Sequence, residues 1–102
     1  MHPASKQPDE IRPYAIDFVS RLPTGEDINT LTVTVLNEDG GDVSTTLLED
    51  SYISTTLGIA VIKGGTDGKG YTIKYLITTT PSGLKYRDEI YLTVKDRVFV
   101  VD

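Results

Sequence analysis

The sequence predicts an all-β domain, a two-sheet antiparallel sandwich of about seven strands. Three observations support this. Thr, Val, Ile and Tyr, which favour strands, are frequent, and apolar residues alternate with polar ones over short runs. Segments rich in glycine, proline and acidic residues separate these runs at intervals of roughly ten residues, the spacing expected of a sandwich. Helical periodicity is nearly absent.

The alternation indicates where the strands lie. Alternation of apolar and polar residues is clearest in 28–36, 71–77 and 86–95, while 43–48 is expected to be a short strand. Residues 51–63 form one strand or two, with Gly58 as the expected bulge or break. The full set of expected strand segments is 14–19, 28–36, 43–48, 51–63, 71–77 and 86–95.

Composition excludes several classes of function. The chain of 102 residues is the size of a single domain, and its lack of cysteine excludes disulfides, thiolate metal sites and cysteine nucleophiles. The formal net charge of −5 argues against nucleic-acid binding. Neither a signal-peptide core nor an apolar stretch of ~20 residues is present, so we expect a soluble product with no membrane contact.

No catalytic or metal site is predicted. His2 is the only histidine, so no metal pair or Ser-His relay can be built on it. Glu38, Asp39 and Asp42 lack the alternating ligands of a calcium loop and are expected in a solvated turn. The glycine-rich segment 64–70 lacks a following helix and the Lys-Ser/Thr pair of a P-loop. We therefore expect neither enzyme activity nor a cofactor.

The tyrosines divide into two groups. Tyr71 and Tyr75 share the apolar phase of their strand and are expected in the core, whereas Tyr52 and Tyr91 are candidates for exposure. Asp67 precedes Tyr71 by four residues, as in a tyrosine corner, where a Tyr hydroxyl bonds back to the chain as it enters a strand.

Both termini fall outside the strand scheme. We expect residues 1–10 to form a flexible or docked arm, 11–96 the sandwich, and 97–102 an apolar tail. A terminal apolar run is unusual unless it pairs with another surface, for instance by adding a strand to a neighbouring sheet. The predicted partner-docking residues are Lys6, Pro8, Val98, Phe99, Val100 and Val101.

The order and spacing of several motifs resemble a known family. These motifs are Lys6-Gln7-Pro8 before Tyr14-Ala15-Ile16-Asp17-Phe18, then Leu22-Pro23-Thr24-Gly25-Glu26-Asp27-Ile28, then Gly64-Gly65-Thr66-Asp67-Gly68 with Tyr71, and finally Thr78-Thr79-Thr80 before Gly83 and Arg87. From Lys6 to about Val94 the chain resembles the phage fibre-tail adaptors, small virion proteins encoded among tail and neck genes.

The resemblance implies an immunoglobulin-like sandwich and a role in the virion. It would join a tail fibre or spike to the tail, portal or neck proteins by protein-protein docking, with several copies in a ring, after assembly in the host cytoplasm. Two alternatives stay open at this point. One is a capsid head decoration protein, and the other is a carbohydrate-binding β-sandwich module that stacks sugars on Tyr52 and Tyr91.

Overall fold

The computed structural model of the protein describes residues 2–95, and of His2 only the backbone. Within this range the chain forms seven strands, a single helical turn and a short 3₁₀ turn at Val19–Arg21. The elements in chain order are β1 (His2–Lys6), β2 (Arg12–Asp17), β3 (Asp27–Leu36), α1 (Ser44–Leu47), β4 (Leu48–Ser54), β5 (Leu57–Ile62), β6 (Gly70–Thr80) and β7 (Lys85–Val94).

The strands form two sheets, which confirms the predicted immunoglobulin-like sandwich. One sheet has four strands in the order β1-β7-β6-β3, and the other has three in the order β2-β5-β4. This order corresponds to strands A′-G-F-C and B-E-D of an immunoglobulin domain. All neighbouring strands are antiparallel except β1 and β7, which run parallel.

The parallel β1–β7 pair corrects the expectation that the N-terminal segment lies outside the sandwich. His2–Lys6 pairs with residues 90–94 and is the edge strand of the four-stranded sheet. Pro3 inside the strand, Pro8 shortly after it and the missing alternation gave no strand signal, since β7 supplies the pairing that the sequence of β1 does not predict. The expected apolar tail, 97–102, lies outside the described residues.

The core lies between the sheets and centres on β6. Tyr71, Ile73, Tyr75 and Ile77 occupy alternate positions of this strand and are all buried, as predicted. They pack with the inward residues of the neighbouring strands and with Phe18, which is fully buried just beyond β2. The alternation in the sequence therefore arises because successive side chains of β6 point to opposite faces of the sheet, and only one of these faces lies in the core.

The hydroxyl of Tyr75 joins the two sheets. It donates a hydrogen bond of 2.7 Å to the backbone carbonyl of Tyr14 on β2, across the sandwich. Burial, together with the proximity of the Tyr14 hydroxyl, raises the pKa of Tyr75 well above its ordinary value. Tyr75 therefore stays neutral in the folded protein under conditions in which an exposed tyrosine ionises.

The predicted tyrosine corner is confirmed. The Tyr71 hydroxyl accepts a hydrogen bond of 3.0 Å from the backbone N–H of Thr66, in the loop that leads into β6. Two residues later Ile73 is fully buried at the position where an antibody domain carries its disulfide cysteine. The bond fixes the loop against the strand without a covalent link.

Two local predictions between β3 and β5 are wrong. Residues 43–48 were expected to form a strand, but Ser44–Leu47 forms α1, because the Val43 carbonyl accepts the N–H groups of Thr46 and Leu47. Gly58 was expected as the break in 51–63, but the break lies at Thr55 and Thr56, and Gly58 is inside β5.

Gly58 serves close packing rather than a bend. A Cβ at this position would lie 3.2 Å from Leu31 Cδ1 and 3.4 Å from Phe18 Cε2, so the two sheets approach too closely there for a larger side chain. Thr55 makes the turn with a φ of 52°, a conformation rare for a β-branched residue.

We predict that Tyr75 makes the protein sensitive to alkali. Because the folded-state pKa of Tyr75 is raised, the neutral hydroxyl contributes stability that is full below pH ~10, the unfolded value, and that is lost as pH rises toward the folded pKa. Tyr75→Phe should lower the free energy of unfolding by about 1 kcal/mol at pH 8. Between pH 8 and pH 10.5, the free energy of unfolding should fall less in this variant than in the wild type. Urea unfolding at both pH values measures this.

The matched control is Tyr52→Phe, because Tyr52 is 46% exposed. The pKa of Tyr14 is also raised, mainly by burial, and that of Lys6 is lowered, so only the difference between variants isolates Tyr75. An unchanged alkaline loss in Tyr75→Phe would show that another group controls the response.

Candidate docking surfaces

Lys6, a predicted docking residue, is buried at the end of β1. Its side chain is only 3% exposed. The ammonium Nζ donates hydrogen bonds of 2.6 Å to the carbonyl of Gln7, 2.6 Å to that of Gly64 and 3.3 Å to that of Pro8. Lys6 therefore ties β1 to the loop between β5 and β6, and presents no charge to a partner.

The surroundings of Lys6 act on its protonation in opposite directions. Burial lowers the pKa of the ammonium, and the carboxylates of Glu10 and Asp9 partly oppose this shift.

Of the other predicted docking residues, Pro8 is half-buried in the turn that follows β1. Val98–Val101 lies outside the described residues, so its docking role stays a prediction.

On one side of the sandwich, β1 and β2 are the edge strands. In both strands alternate residues hydrogen-bond to the neighbouring strand, and Pro3 and Pro13 fall at positions whose backbone groups point away from the sheet. Because proline has no N–H, these positions offer no donor to an added strand. The Ser5 carbonyl accepts a hydrogen bond of 2.9 Å from the Tyr14 hydroxyl. A groove of about 610 Å³ opens between the two strands, but its edges are poorly suited to strand addition.

On the opposite side, β3 and β4 are the edge strands. The outward backbone of Val35 is occupied, because its carbonyl accepts the Val43 N–H at 2.8 Å and its own N–H donates to Ser44 Oγ at 2.8 Å. On β4 the Ser51 N–H donates to Asp50 Oδ1 at 2.8 Å, while Ile53 is 36% exposed.

The outer face of the four-stranded sheet is polar. Its positions on β3, β6 and β7 are mostly threonine, lysine, arginine and glutamate, and Lys74 lies 3.8 Å from Glu89 in an exposed ion pair. Tyr91 is 38% exposed on this face, where its ring covers Gly70 so closely that a Cβ there would lie 2.0 Å from the Tyr91 hydroxyl.

The outer face of the three-stranded sheet is apolar. Its central row runs across all three strands in register, from Ala15 on β2 through Ile59 on β5 to Tyr52 on β4. Tyr52 is 46% exposed, and Ile59 is buried without belonging to the core cluster. The flanking rows are Pro13–Val61–Asp50 and Asp17–Leu57–Ser54. We call these three rows the apolar face.

Tyr52 and Tyr91 therefore lie on opposite outer faces of the sandwich. Tyr52 belongs to the apolar face and Tyr91 to the outer face of the other sheet. The two exposed rings therefore cannot form one shared platform on which a sugar could stack.

The acidic turn at 37–42 is held by its own side chains. Asn37 Oδ1 accepts the N–H groups of Asp39 at 3.0 Å and Gly41 at 2.8 Å, and Asp42 Oδ1 accepts that of Ser44 at 2.9 Å. Hydrogen bonding from the Ser44 side chain, and then from its backbone N–H, lowers the pKa of Asp42. Across the part of the chain that the structure describes, no group of three or more His, Cys, Asp or Glu residues could hold a metal ion.

The glycine-rich segment 64–70 leads directly into β6, and thus forms the strand connection that was predicted. Gly65 is required there, because its φ is +97° and a Cβ would lie 2.7 Å from Val94 Cγ2.

Among residues 2–95, no helix has the length and apolar character needed to cross a membrane.

Comparison with known families decides what this sandwich is. The model of the Gp77 family, described as podophage GP4 fiber-tail adaptor protein gp77, matches residues 6–93 of the 102-residue chain. The chain belongs to this family. A search of curated proteins and a search of solved structures each found no match.

The fiber-tail adaptors are structural proteins of the virion, and this chain is accordingly a virion component that serves as a tail adaptor and binds other virion proteins such as the tail fibre. The resemblance inferred from Lys6 to about Val94 is confirmed, with nearly the same bounds. The family description supports the tail adaptor and lends no support to the head decoration alternative.

Sequence reasoning missed the apolar face of this adaptor. The signal was present in β5, where Leu57–Ile62 is apolar at every position apart from Gly58, without the polar alternation of β3 or β7. A continuous apolar run is typical of a strand that is covered on both faces. The core covers one face of β5, and among residues 2–95 the other face contacts only the neighbouring strands of its own sheet.

We predict that Lys6→Met destabilises the adaptor. The substitution keeps the length of the side chain but removes the donor to the Gly64 and Gln7 carbonyls, at an expected cost of roughly 1–3 kcal/mol. Urea unfolding measures the loss, and hydrogen exchange in β1 should rise with it. Lys95→Met, at an exposed neighbouring position, should change stability by less than about 0.5 kcal/mol.

A Lys6→Met variant as stable as the wild type, or more stable, would contradict this. It would mean that the burial of the ammonium costs as much as its three hydrogen bonds return.

Proposed function

We propose that the chain joins a tail fibre or spike to the tail or neck region of a podophage virion, by protein-protein docking and without catalysis. The family match over residues 6–93 carries this proposal, because it spans the whole sandwich except the first four residues of β1 and the last residue of β7. Several copies would be arranged in a ring, assembled onto the particle in the host cytoplasm.

We assign the C-terminal segment a docking role in this arrangement. Val98-Phe99-Val100-Val101 is a short apolar run that follows closely on β7, which ends at Val94. Such a run suits β-augmentation, in which backbone groups pair with a neighbour's sheet edge and alternate side chains fill pockets. The turn after β1, with half-buried Pro8, lies beside the end of β7 through the bond from Lys95 N–H to the Lys6 carbonyl.

Repetition around a ring would strengthen weak contacts. Each copy needs to bind its neighbours only modestly, because once one copy is attached the next contact forms at a high effective concentration. Attachment of a fibre would then depend on the number of copies as well as on the affinity of each contact.

Deletion of the gene from the phage that encodes the chain tests the proposed function. Particles with filled heads and tails that lack fibres are expected, and purified protein added to them should restore fibre attachment. Electron microscopy and mass spectrometry of the particles give the readout. Particles that retain their fibres would count against the fibre-tail role.

We predict that removing Val98–Asp102 leaves the monomer folded and abolishes its incorporation into particles. The buried core residues of the described chain lie between Lys6 and Val94 and fill the space between the sheets, so the urea midpoint should stay close to that of the wild type. Complementation of the gene deletion measures incorporation. A truncated chain that is unfolded by circular dichroism would instead make the segment part of the fold.

A further inference from the structure

We infer that the apolar face is a second docking site, and that it takes a virion partner surface with an apolar centre and a basic rim. This rests on the proposed function, since an adaptor must hold at least two different neighbours. The terminal segment supplies one contact, and the apolar face lies on the outside of the other sheet.

The composition of the apolar face differs from what solvent exposure favours. Ala15, Ile59 and Tyr52 form an unbroken apolar row across β2, β5 and β4, with Pro13, Val61 and Leu57 in the rows on either side. Where one face of a sheet is in solvent, residues along each strand normally alternate between apolar ones that face the core and polar ones that face solvent, as they do in the other sheet of this protein. Two further apolar side chains flank β2, since Ile11 is 59% exposed and Val19 is 57% exposed.

None of these outward residues stabilises the core. The core cluster includes Ile16, Ala60 and Ile62 from these strands, while Ile59 is excluded from it and packs among its cross-strand neighbours. Polar residues could therefore replace the apolar row without opening a cavity between the sheets. The apolar character is better explained by contact with another molecule.

The charges at the margin identify the chemistry of the occupant. Asp17 and Asp50 lie at diagonally opposite corners of the apolar face, and none of its nine positions is basic. Lys63, just beyond the end of β5, is neutralised by Glu49 at 2.9 Å. A partner with lysine or arginine around an apolar centre would be complementary to this arrangement.

The same charges disfavour a second copy of this chain as the occupant. In a two-fold symmetric contact the same surface meets itself, so the acidic corners of one copy would face acidic or uncharged positions of the other and no basic one. The net charge of −5 adds repulsion between copies.

The size of the apolar face fits the centre of an interface. Three strands about 4.8 Å apart and five residues long give an area on the order of 200 Å². A stable contact buries about 800 Å² on each partner, of which a central cluster of aromatic and apolar residues carries most of the affinity. Tyr52, exposed at one end of the central row, is the expected anchor.

The test measures binding of the purified full chain to particles from the gene-deletion phage, by co-sedimentation. Tyr52→Glu should weaken binding by at least about thirtyfold. Ala15→Glu, on another strand of the same row, should give a similar loss. Tyr91→Glu is the matched control, because Tyr91 has similar exposure on the opposite outer face, and it should bind within about threefold of the wild type.

A second comparison tests the basic rim. Asp50→Asn keeps an acceptor for the Ser51 N–H but removes the charge, so it should weaken binding severalfold at low salt and make binding less dependent on salt. Glu89→Gln, on the outer face of the other sheet, should leave the salt dependence unchanged.

The outcomes separate the two proposals. If the wild type fails to bind the particles at all, the adaptor function itself fails. If the wild type binds and Tyr52→Glu and Ala15→Glu bind equally well while folded, the docking site is overturned and the function stands. A wild-type dimer by light scattering that Tyr52→Glu dissociates would make a second copy the occupant, and would overturn the inferred partner.

Discussion

The sandwich depends on the burial of one face of β6 between the two sheets. Tyr71, Ile73, Tyr75 and Ile77 fill the space between the layers, and the Tyr75 hydroxyl bonds to the backbone of the opposite sheet. In a chain without cysteine, this packing and the Tyr71 corner hold together what a disulfide holds in antibody domains.

The exterior of the adaptor is divided by polarity. One sheet shows solvent a polar outer face, and prolines or local hydrogen bonds occupy much of the available edge backbone, which limits unspecific strand pairing. The other sheet carries the apolar face. A virion subunit must stay soluble until it meets its neighbours and then bind them firmly, and a protected edge beside one restricted apolar surface meets both requirements.

Much of the fold could be predicted from sequence because period-two alternation records which face of a strand is buried. This holds for β3, β6 and β7, and the spacing to Tyr71 predicted the corner. The N-terminal strand could not be predicted, because it forms through pairing with β7 and through the buried Lys6 ammonium, which are tertiary effects. The apolar face could not be predicted from alternation, because β5 is apolar on both sides and carries no alternation.

The parallel pairing of β1 with β7 has a mechanical consequence. The chain enters the structure at His2, opposite Ile90, and leaves it beyond Val94, opposite Lys6, so the two strand ends point in opposite directions along one ladder. A pull applied between these ends acts along the strands and loads their hydrogen bonds in shear, all at once, rather than one after another as in unzipping. A fibre that drags on the particle through these two ends would load all the hydrogen bonds of this ladder together.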